Sequence, residues 1–89
     1  MNELSIKSKV LEILKENSEV DPGNITEVSR IRTDLGIDSI KLVDVVMSIE
    51  DVFGVDVDIA SLTPENFSNA QRITQYIIKK MENTAKEVG

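Results

Sequence analysis

The chain has 89 residues, a net charge of −6, 40% hydrophobic residues and only 3% aromatic residues. This length suits one small domain with an aliphatic core, and folding should bury roughly 60–65% of the surface of the unfolded chain. The chain contains no cysteine and no histidine, which excludes disulfides, thiolate zinc sites and histidine-based acid–base chemistry. The scarcity of aromatic residues argues against a stacking surface for single-stranded nucleic acid.

The negative charge is concentrated in one segment. Between Asp34 and Asp58 there are seven acidic residues and one base, Lys41, while the rest of the chain has nine acids and nine bases. Such a field repels nucleic acid and speeds encounters with basic protein surfaces. No apolar run approaches the about 20 residues of a membrane span, and the N-terminus lacks the pattern of a secretory signal. We therefore expect a cytoplasmic monomer with neither nucleic-acid nor membrane partners.

The first predicted helix covers residues 3–17. Its apolar positions fall at helical spacing, and we expect one face formed by Leu4, Val10, Leu11 and Leu14, with Ile6 and Ile13 at the margin.

Residues 18–37 are predicted to form a long connection that opens with the turn Asp21-Pro22-Gly23-Asn24. Apolar residues should pin this connection across the helices, with a short helical turn around residues 26–31; they are Ile25, Val28, Ile31 and Leu35.

The second predicted helix runs from Ser39 to Phe53. Asp38 is a suitable N-cap because its carboxylate can accept hydrogen bonds from free backbone N–H groups, and Gly54 is suited to ending the helix. One face is apolar, formed by Leu42, Val45, Val46, Ile49 and Phe53.

The remainder predicts two further helices. Residues 55–58 should be an extended loop, and Thr63-Pro64-Glu65 is typical of a helix start, predicting a short helix over residues 64–67. The capping-box spacing of Ser68-Asn69-Ala70-Gln71 predicts a last helix that ends near Glu82. That helix should direct Ala70, Ile73, Ile77 and Met81 inward and leave the hydroxyl of Tyr76 in water.

The predicted fold is all-α: an antiparallel four-helix bundle with three long helices, one short helix and a long first loop. The domain should span residues 1–82, followed by a polar, frayed tail over residues 83–89. The residues expected at the centre of the core are Leu14, Val46, Ile49, Phe53 and Ile73.

Asp38-Ser39-Ile40, followed by an acidic helix that ends in Phe53-Gly54, resembles the acyl carrier protein family of phosphopantetheine-dependent carriers. The resemblance extends from the first helix to Tyr76-Ile77. It implies that a separate phosphopantetheinyl transferase attaches 4′-phosphopantetheine from coenzyme A to Ser39, beside Asp38. The thiol of this group would then carry an acyl or aminoacyl thioester, and a phosphodiester at a helix N-terminus is physically favourable. We thus expect a free-standing carrier without catalytic residues.

An outer stripe of the second helix is a candidate partner surface, because apolar and acidic residues alternate on it. The resemblance implies that acyl-loading and acyl-processing enzymes dock here through basic patches. The alternative is an ordinary solvated helix face. The candidate residues are Ile40, Lys41, Val43, Asp44, Met47, Glu50 and Asp51.

Other roles for the same residues fit less well. A nucleophilic Ser39 would need an activating base, but histidine is absent and Lys41, two residues further on, does not face it on a helix. A calcium loop counted from Asp34 would place Gly36 at its third position and Val45 at its twelfth, where acids are required. We therefore predict neither an enzyme nor a metal site.

The pathway and the fate of the acyl chain stay open. Within the family that this chain resembles, fatty-acid carriers generally have leucine and then an acid where this chain has Ile40 and Lys41. The segment Thr63–Phe67 is more similar to carriers of polyketide or nonribosomal peptide systems. A specialised pathway is favoured, with fatty-acid synthesis, aminoacyl transfer for the cell envelope and an unmodified helical adaptor as alternatives. Several apolar residues could form ordinary core or shelter an acyl chain: Val46, Val57, Ile59, Leu62 and Phe67.

Overall fold

Four α-helices and two short 3-10 helices make up the computed structural model, which describes the backbone of residues 2–88 and the side chains of residues 2–83. Helix α1 packs against α2 and α4, and α3 packs against α4. No strand occurs within residues 2–88, so the prediction of an all-α four-helix bundle is confirmed. The α-helices are α1 Glu3–Asn17, α2 Ser39–Phe53, α3 Pro64–Phe67 and α4 Ala70–Val88, and the 3-10 helices are Pro22–Asn24 and Ile59–Ser61.

The predicted bounds of the first three helices agree with α1, α2 and α3, whereas α4 differs at both ends. Its cap is Asn69 rather than Ser68, because Asn69 Oδ1 accepts a hydrogen bond from the Arg72 N–H at 2.8 Å. Its backbone stays helical to Val88 instead of ending near Glu82. The predicted tail over residues 83–89 falls largely on side chains outside the described residues and stays a prediction.

Side-chain caps fix where α1 and α2 begin. Asn2 Oδ1 accepts a hydrogen bond from the Ser5 N–H at 2.8 Å. Asp38 Oδ1 accepts one from the Lys41 N–H at 2.9 Å, as the sequence predicted for this cap. Such caps are worth about 1 kcal/mol each. Thr63 is also the N-cap residue of α3, and its place before Pro64 predicts a capping hydroxyl, but that hydroxyl makes no capping hydrogen bond.

Apolar side chains hold down the connection between α1 and α2. Ile25, Ile31 and Leu35 are buried as predicted, and Ile37, which the sequence analysis did not single out, is buried with them. Val28 is 65% exposed, which corrects the prediction that it joins this group. The reason is that residues 26–31 form turns rather than a helix, so a three-residue spacing does not return a side chain to the same face.

Hydrogen bonds tie the connection to the elements on both sides of it. The Ser18 hydroxyl, just after α1, donates to the carbonyl of Leu35 at 2.8 Å. The N–H of Ile31 donates to the carbonyl of Ser68 at 3.0 Å, and the N–H of Ile37 donates to the carbonyl of Ile31 at 3.0 Å. The segment that leads into α2 is therefore a closed turn anchored next to the junction of α3 and α4.

One aliphatic core joins the helices, and the five residues predicted for its centre, Leu14, Val46, Ile49, Phe53 and Ile73, are all buried.

Two predictions at the edge of the core are wrong. Leu4 is 77% exposed, while Ile6 and Ile13 are buried, because the face of α1 that packs on its neighbours is rotated towards them. Tyr76 is buried together with its hydroxyl, which has no hydrogen-bond partner among the described residues. The ring of Tyr76 packs against that of Phe67, with the two ring centroids 5.3 Å apart, and the hydroxyl is buried together with the ring.

Gly54 ends α2 in the left-handed region, with φ of 66°, and its N–H donates to the carbonyl of Glu50 at 2.9 Å. We expect Gly54→Ala to lower the free energy of unfolding by about 1 kcal/mol, since L-residues with a side chain disfavour this conformation. The new Cβ would meet no atom within 4 Å, so the cost is conformational. Urea denaturation measures it directly.

Gly23→Ala is the matched control for this prediction. Gly23 lies in the 3-10 helix Pro22–Asn24, and a Cβ there would make an ordinary contact with Asp21 Oδ1 at 3.6 Å. We expect stability to stay equal or to rise by up to about 1 kcal/mol, because the unfolded chain loses freedom. Equal urea midpoints for Gly54→Ala and the wild type would contradict the argument from Gly54.

Candidate functional site

Ser39 is the first residue of α2, and it is exposed to solvent. The preceding residue, Asp38, supplies the N-terminal cap, so the hydroxyl of Ser39 is not needed to cap the helix. The first turn of a helix presents free N–H groups and the positive end of the helix dipole. A phosphate added to Ser39 Oγ would therefore enter a favourable electrostatic environment.

The hydroxyl of Ser39 contacts an arginine from the preceding connection. Arg32 Nη2 donates a hydrogen bond to Ser39 Oγ at 3.0 Å. Arg32 follows the buried Ile31 directly, so its backbone is fixed by the anchored turn. Sequence reasoning missed Arg32, because a single basic residue in a polar loop gives no periodic or motif signal of its own.

These contacts do not equip Ser39 as a nucleophile. The guanidinium of Arg32 has hydrogen-bond donors and no acceptor, so it cannot accept the proton of the hydroxyl. Asp38 Oδ1 is bonded to the Lys41 N–H, and Lys41 Nζ lies 3.9 Å from Glu19 Oε1. In the part of the chain that the structure describes, Ser39 Oγ thus contacts a cationic donor instead of a general base.

Most of the predicted partner surface is exposed on α2. Ile40, Val43 and Met47 are 78%, 52% and 60% exposed, and Asp44 and Asp51 are exposed as well. Contiguous exposed apolar patches on soluble proteins are often interaction sites. The structure therefore places an apolar and acidic surface directly after Ser39.

Two other predicted members of this surface make contacts within the chain. Glu50 is partly buried, and its Oε2 accepts a hydrogen bond from the Val57 N–H at 2.9 Å. This bond ties the loop after α2 back onto the helix, so Glu50 has a structural role that its helical position did not reveal. Lys41 is also partly buried and lies beside the exposed Glu19.

A cavity of about 360 Å³ lies between the turn that carries Arg32 and the α2 and α3 helices. Leu62 and Phe67 line it, as predicted for the space between these helices. Ile59, expected beside them, is 88% exposed, and Val46 is buried in the core. Other lining residues include Arg30, Ile31, Arg32, Thr33 and Leu42.

Two further features bear on the class of protein. Among the described residues, no three or more acidic, histidine or cysteine side chains come together to hold a metal ion. Within the same residues, none of the helices is both long enough and apolar enough to cross a bilayer.

Comparisons with known proteins identify the family of this chain. The family model of the phosphopantetheine attachment site matches residues 8–77. The acyl carrier protein of Thermotoga maritima is 46% identical over 76 residues, covering 85% of this chain and 91% of the relative. That of Guillardia theta is 36% identical over 81 residues, covering 91% of this chain and 98% of the relative.

A solved structure supports the fold. An acyl carrier protein from Enterococcus faecalis aligns with a TM-score of 0.71 at 24% identity, covering 90% of this chain and 99% of that chain. The family predicted from Asp38-Ser39-Ile40 is confirmed, and so is the predicted cofactor, phosphopantetheine. The chain belongs to the acyl carrier protein family, and the match to its phosphopantetheine attachment model spans residues 8–77.

Proposed function

We propose that the protein carries acyl or aminoacyl intermediates on 4′-phosphopantetheine attached to Ser39 and presents them to partner enzymes. The observation that carries this proposal is the exposed hydroxyl of Ser39 at the start of α2, within the matched residues 8–77. The group is transferred from coenzyme A, and its thiol binds the acyl group as a thioester. A chain without cysteine needs such a group to hold a thioester.

The residues around Ser39 suit a phosphodiester. Asp38 satisfies the Lys41 N–H and leaves Ser39 Oγ accessible. The guanidinium of Arg32, 3.0 Å from that oxygen, adds a positive charge to that of the helix end. These contacts support attachment at Ser39 over the other serines of the chain.

The protein is proposed to act by tethering, with the chemistry done by its partners. Ser39 Oγ contacts a donor that cannot remove its proton, so the transferase must supply the base for attachment. A flexible tether then keeps the intermediate at a high effective concentration near each partner's active site.

The outer surface of α2 is the proposed docking site for the transferase and for the acyl-loading and acyl-processing enzymes. Ile40, Val43 and Met47 provide exposed apolar contact area, and Asp44 and Asp51 provide negative charge around it. A complementary partner would present an apolar centre with a basic rim. Glu50 supports this surface from within the chain, since its carboxylate holds the Val57 N–H.

For the pathway, we favour a specialised system of the polyketide or nonribosomal type over fatty-acid synthesis. The support is Lys41, which adds a positive charge next to the docking surface where fatty-acid carriers usually present an acid. Its side chain is partly exposed, and its one ion-pair partner among the described residues is the highly exposed Glu19, at 3.9 Å. A basic partner would therefore meet a weakly screened charge of its own sign.

Attachment is tested by incubating the protein with coenzyme A and a promiscuous phosphopantetheinyl transferase, followed by mass spectrometry. We expect one phosphopantetheine on Ser39 and none on Ser39→Ala. The substitution should leave the fold intact, because the cap is Asp38.

Ser48→Ala is the matched control, since Ser48 lies on the same helix away from its start. This variant should be modified like the wild type. Attachment at a serine other than Ser39 would refute the proposed site. No attachment to the folded wild type would refute the carrier function and favour an unmodified adaptor.

A further inference from the structure

The contact between Arg32 and Ser39 has a second implication, which rests on the proposed function. Ser39 Oγ is the atom that would form the ester bond to phosphorus, and Arg32 Nη2 already lies 3.0 Å from it. We propose that Arg32 is a positioning residue that binds the phosphodiester and fixes the direction in which the phosphopantetheine arm leaves the helix.

The charge of Arg32 is available for this role. Two other bases close to Arg32 in the sequence face carboxylates, since Arg30 Nε lies 3.9 Å from Asp34 Oδ2 and Lys41 Nζ lies 3.9 Å from Glu19 Oε1. Among the residues that the structure describes, no carboxylate lies within ion-pair distance of Arg32. A guanidinium that meets only a neutral hydroxyl has donors left to bind an anion.

The chemistry of the modified serine matches those donors. Once Ser39 Oγ is esterified, the two non-bridging phosphate oxygens lie two bonds from it and share one negative charge. The planar guanidinium can then bind them with two parallel hydrogen bonds, which are shorter and stronger than the bond to a neutral hydroxyl. Modification should therefore convert a weak contact of Arg32 into a charge-assisted one.

The backbone next to Arg32 is anchored, so its side chain starts from a fixed point in the turn. Ile31 is buried and its N–H donates to the carbonyl of Ser68, and the N–H of Ile37 closes the turn onto the carbonyl of Ile31. Arg32 also lines the cavity between the turn, α2 and α3. A phosphate bound by Arg32 would thus lie next to a residue that lines this cavity.

The test compares the modified forms of the wild type, Arg32→Gln and Arg30→Gln by phosphorus NMR, after mass spectrometry has confirmed one group on Ser39. Arg30→Gln is the matched control, because it removes the same charge from the same turn without touching Ser39. We expect the phosphodiester resonance of Arg32→Gln to shift by more than its line width, and that of Arg30→Gln to coincide with the wild type. The methyl signals of the pantetheine arm should also sharpen in Arg32→Gln, because the arm moves more freely.

Arg32→Lys serves as a second variant, since it keeps the charge but loses the planar fork, and its resonance should fall between those of the wild type and Arg32→Gln. Coincident resonances for all four proteins, or equal shifts for Arg32→Gln and Arg30→Gln, would overturn the role of Arg32 while leaving attachment at Ser39 intact. Failure of the wild type to gain the group in the first step would instead refute the proposed function.

Discussion

Phe53→Ala should lower the free energy of unfolding by about 3–5 kcal/mol. Phe53 is buried at the end of α2, where its ring fills space beside the aliphatic core. Truncation to alanine removes the buried ring and leaves a cavity that the surrounding side chains fill only in part. Small domains lie near the lower end of the usual range of about 5–15 kcal/mol for total stability, so this loss removes most of it. We therefore expect a largely unfolded or molten protein, seen by circular dichroism and by the loss of NMR dispersion.

Val52→Ala is the control, because it changes the neighbouring residue on the same helix at a position that is 45% exposed. Substitutions at such positions usually change stability by less than about 0.5 kcal/mol. A cooperative melt of Phe53→Ala within a few degrees of both the wild type and Val52→Ala would show that the ring of Phe53 does not stabilise the core.

The positions of the helices were predictable because local residues determine them. Asp38 caps α2, Pro64 opens α3 and Gly54 ends α2 in a left-handed conformation. The orientation of each helix about its own axis was less predictable. Periodicity identified an apolar side of α1 but not which edge of it packs, so Leu4 was placed in the core instead of Ile6.

The same distinction applies to the candidate site. Ser39 and Asp38 form a local motif, so the sequence identified them directly. Arg32 reaches Ser39 only because a folded turn brings together residues seven positions apart, and Glu50 reaches the Val57 N–H only after the chain leaves α2. Contacts that depend on the conformation of a loop produce no periodic pattern in the sequence. Both contacts could therefore be identified only from the structure.

Lys41→Asp is expected to make the protein a better substrate for the ketosynthase and malonyl transferase of fatty-acid synthesis. Lys41 lies two residues after Ser39, beside the proposed docking surface. Exposed charge pairs are worth roughly 0.2–1 kcal/mol, and reversing a sign replaces a repulsion by an attraction. The difference of about 1–2 kcal/mol corresponds to roughly tenfold in kcat/KM at low salt. The nearby Glu19 Oε1, 3.9 Å from Lys41 Nζ, offsets part of the repulsion between Lys41 and a basic partner in the wild type. The gain in kcat/KM should therefore correspond to the lower end of this energy range.

Lys79→Asp separates this local effect from a change in overall charge. Lys79 is exposed on α4, next to Lys80, whose Nζ lies 3.8 Å from Asp58 Oδ2 beyond the C-terminal end of α2. Both variants change the net charge equally, but only Lys41→Asp changes the field beside Ser39, so only its kcat/KM should rise, and the gain should shrink as salt is added. Equal gains for the two variants, or none at low salt, would show that Lys41 does not select partners. High activity of the wild type with these two enzymes would instead place the carrier in fatty-acid synthesis, because the repulsion assigned to Lys41 would then not exclude them.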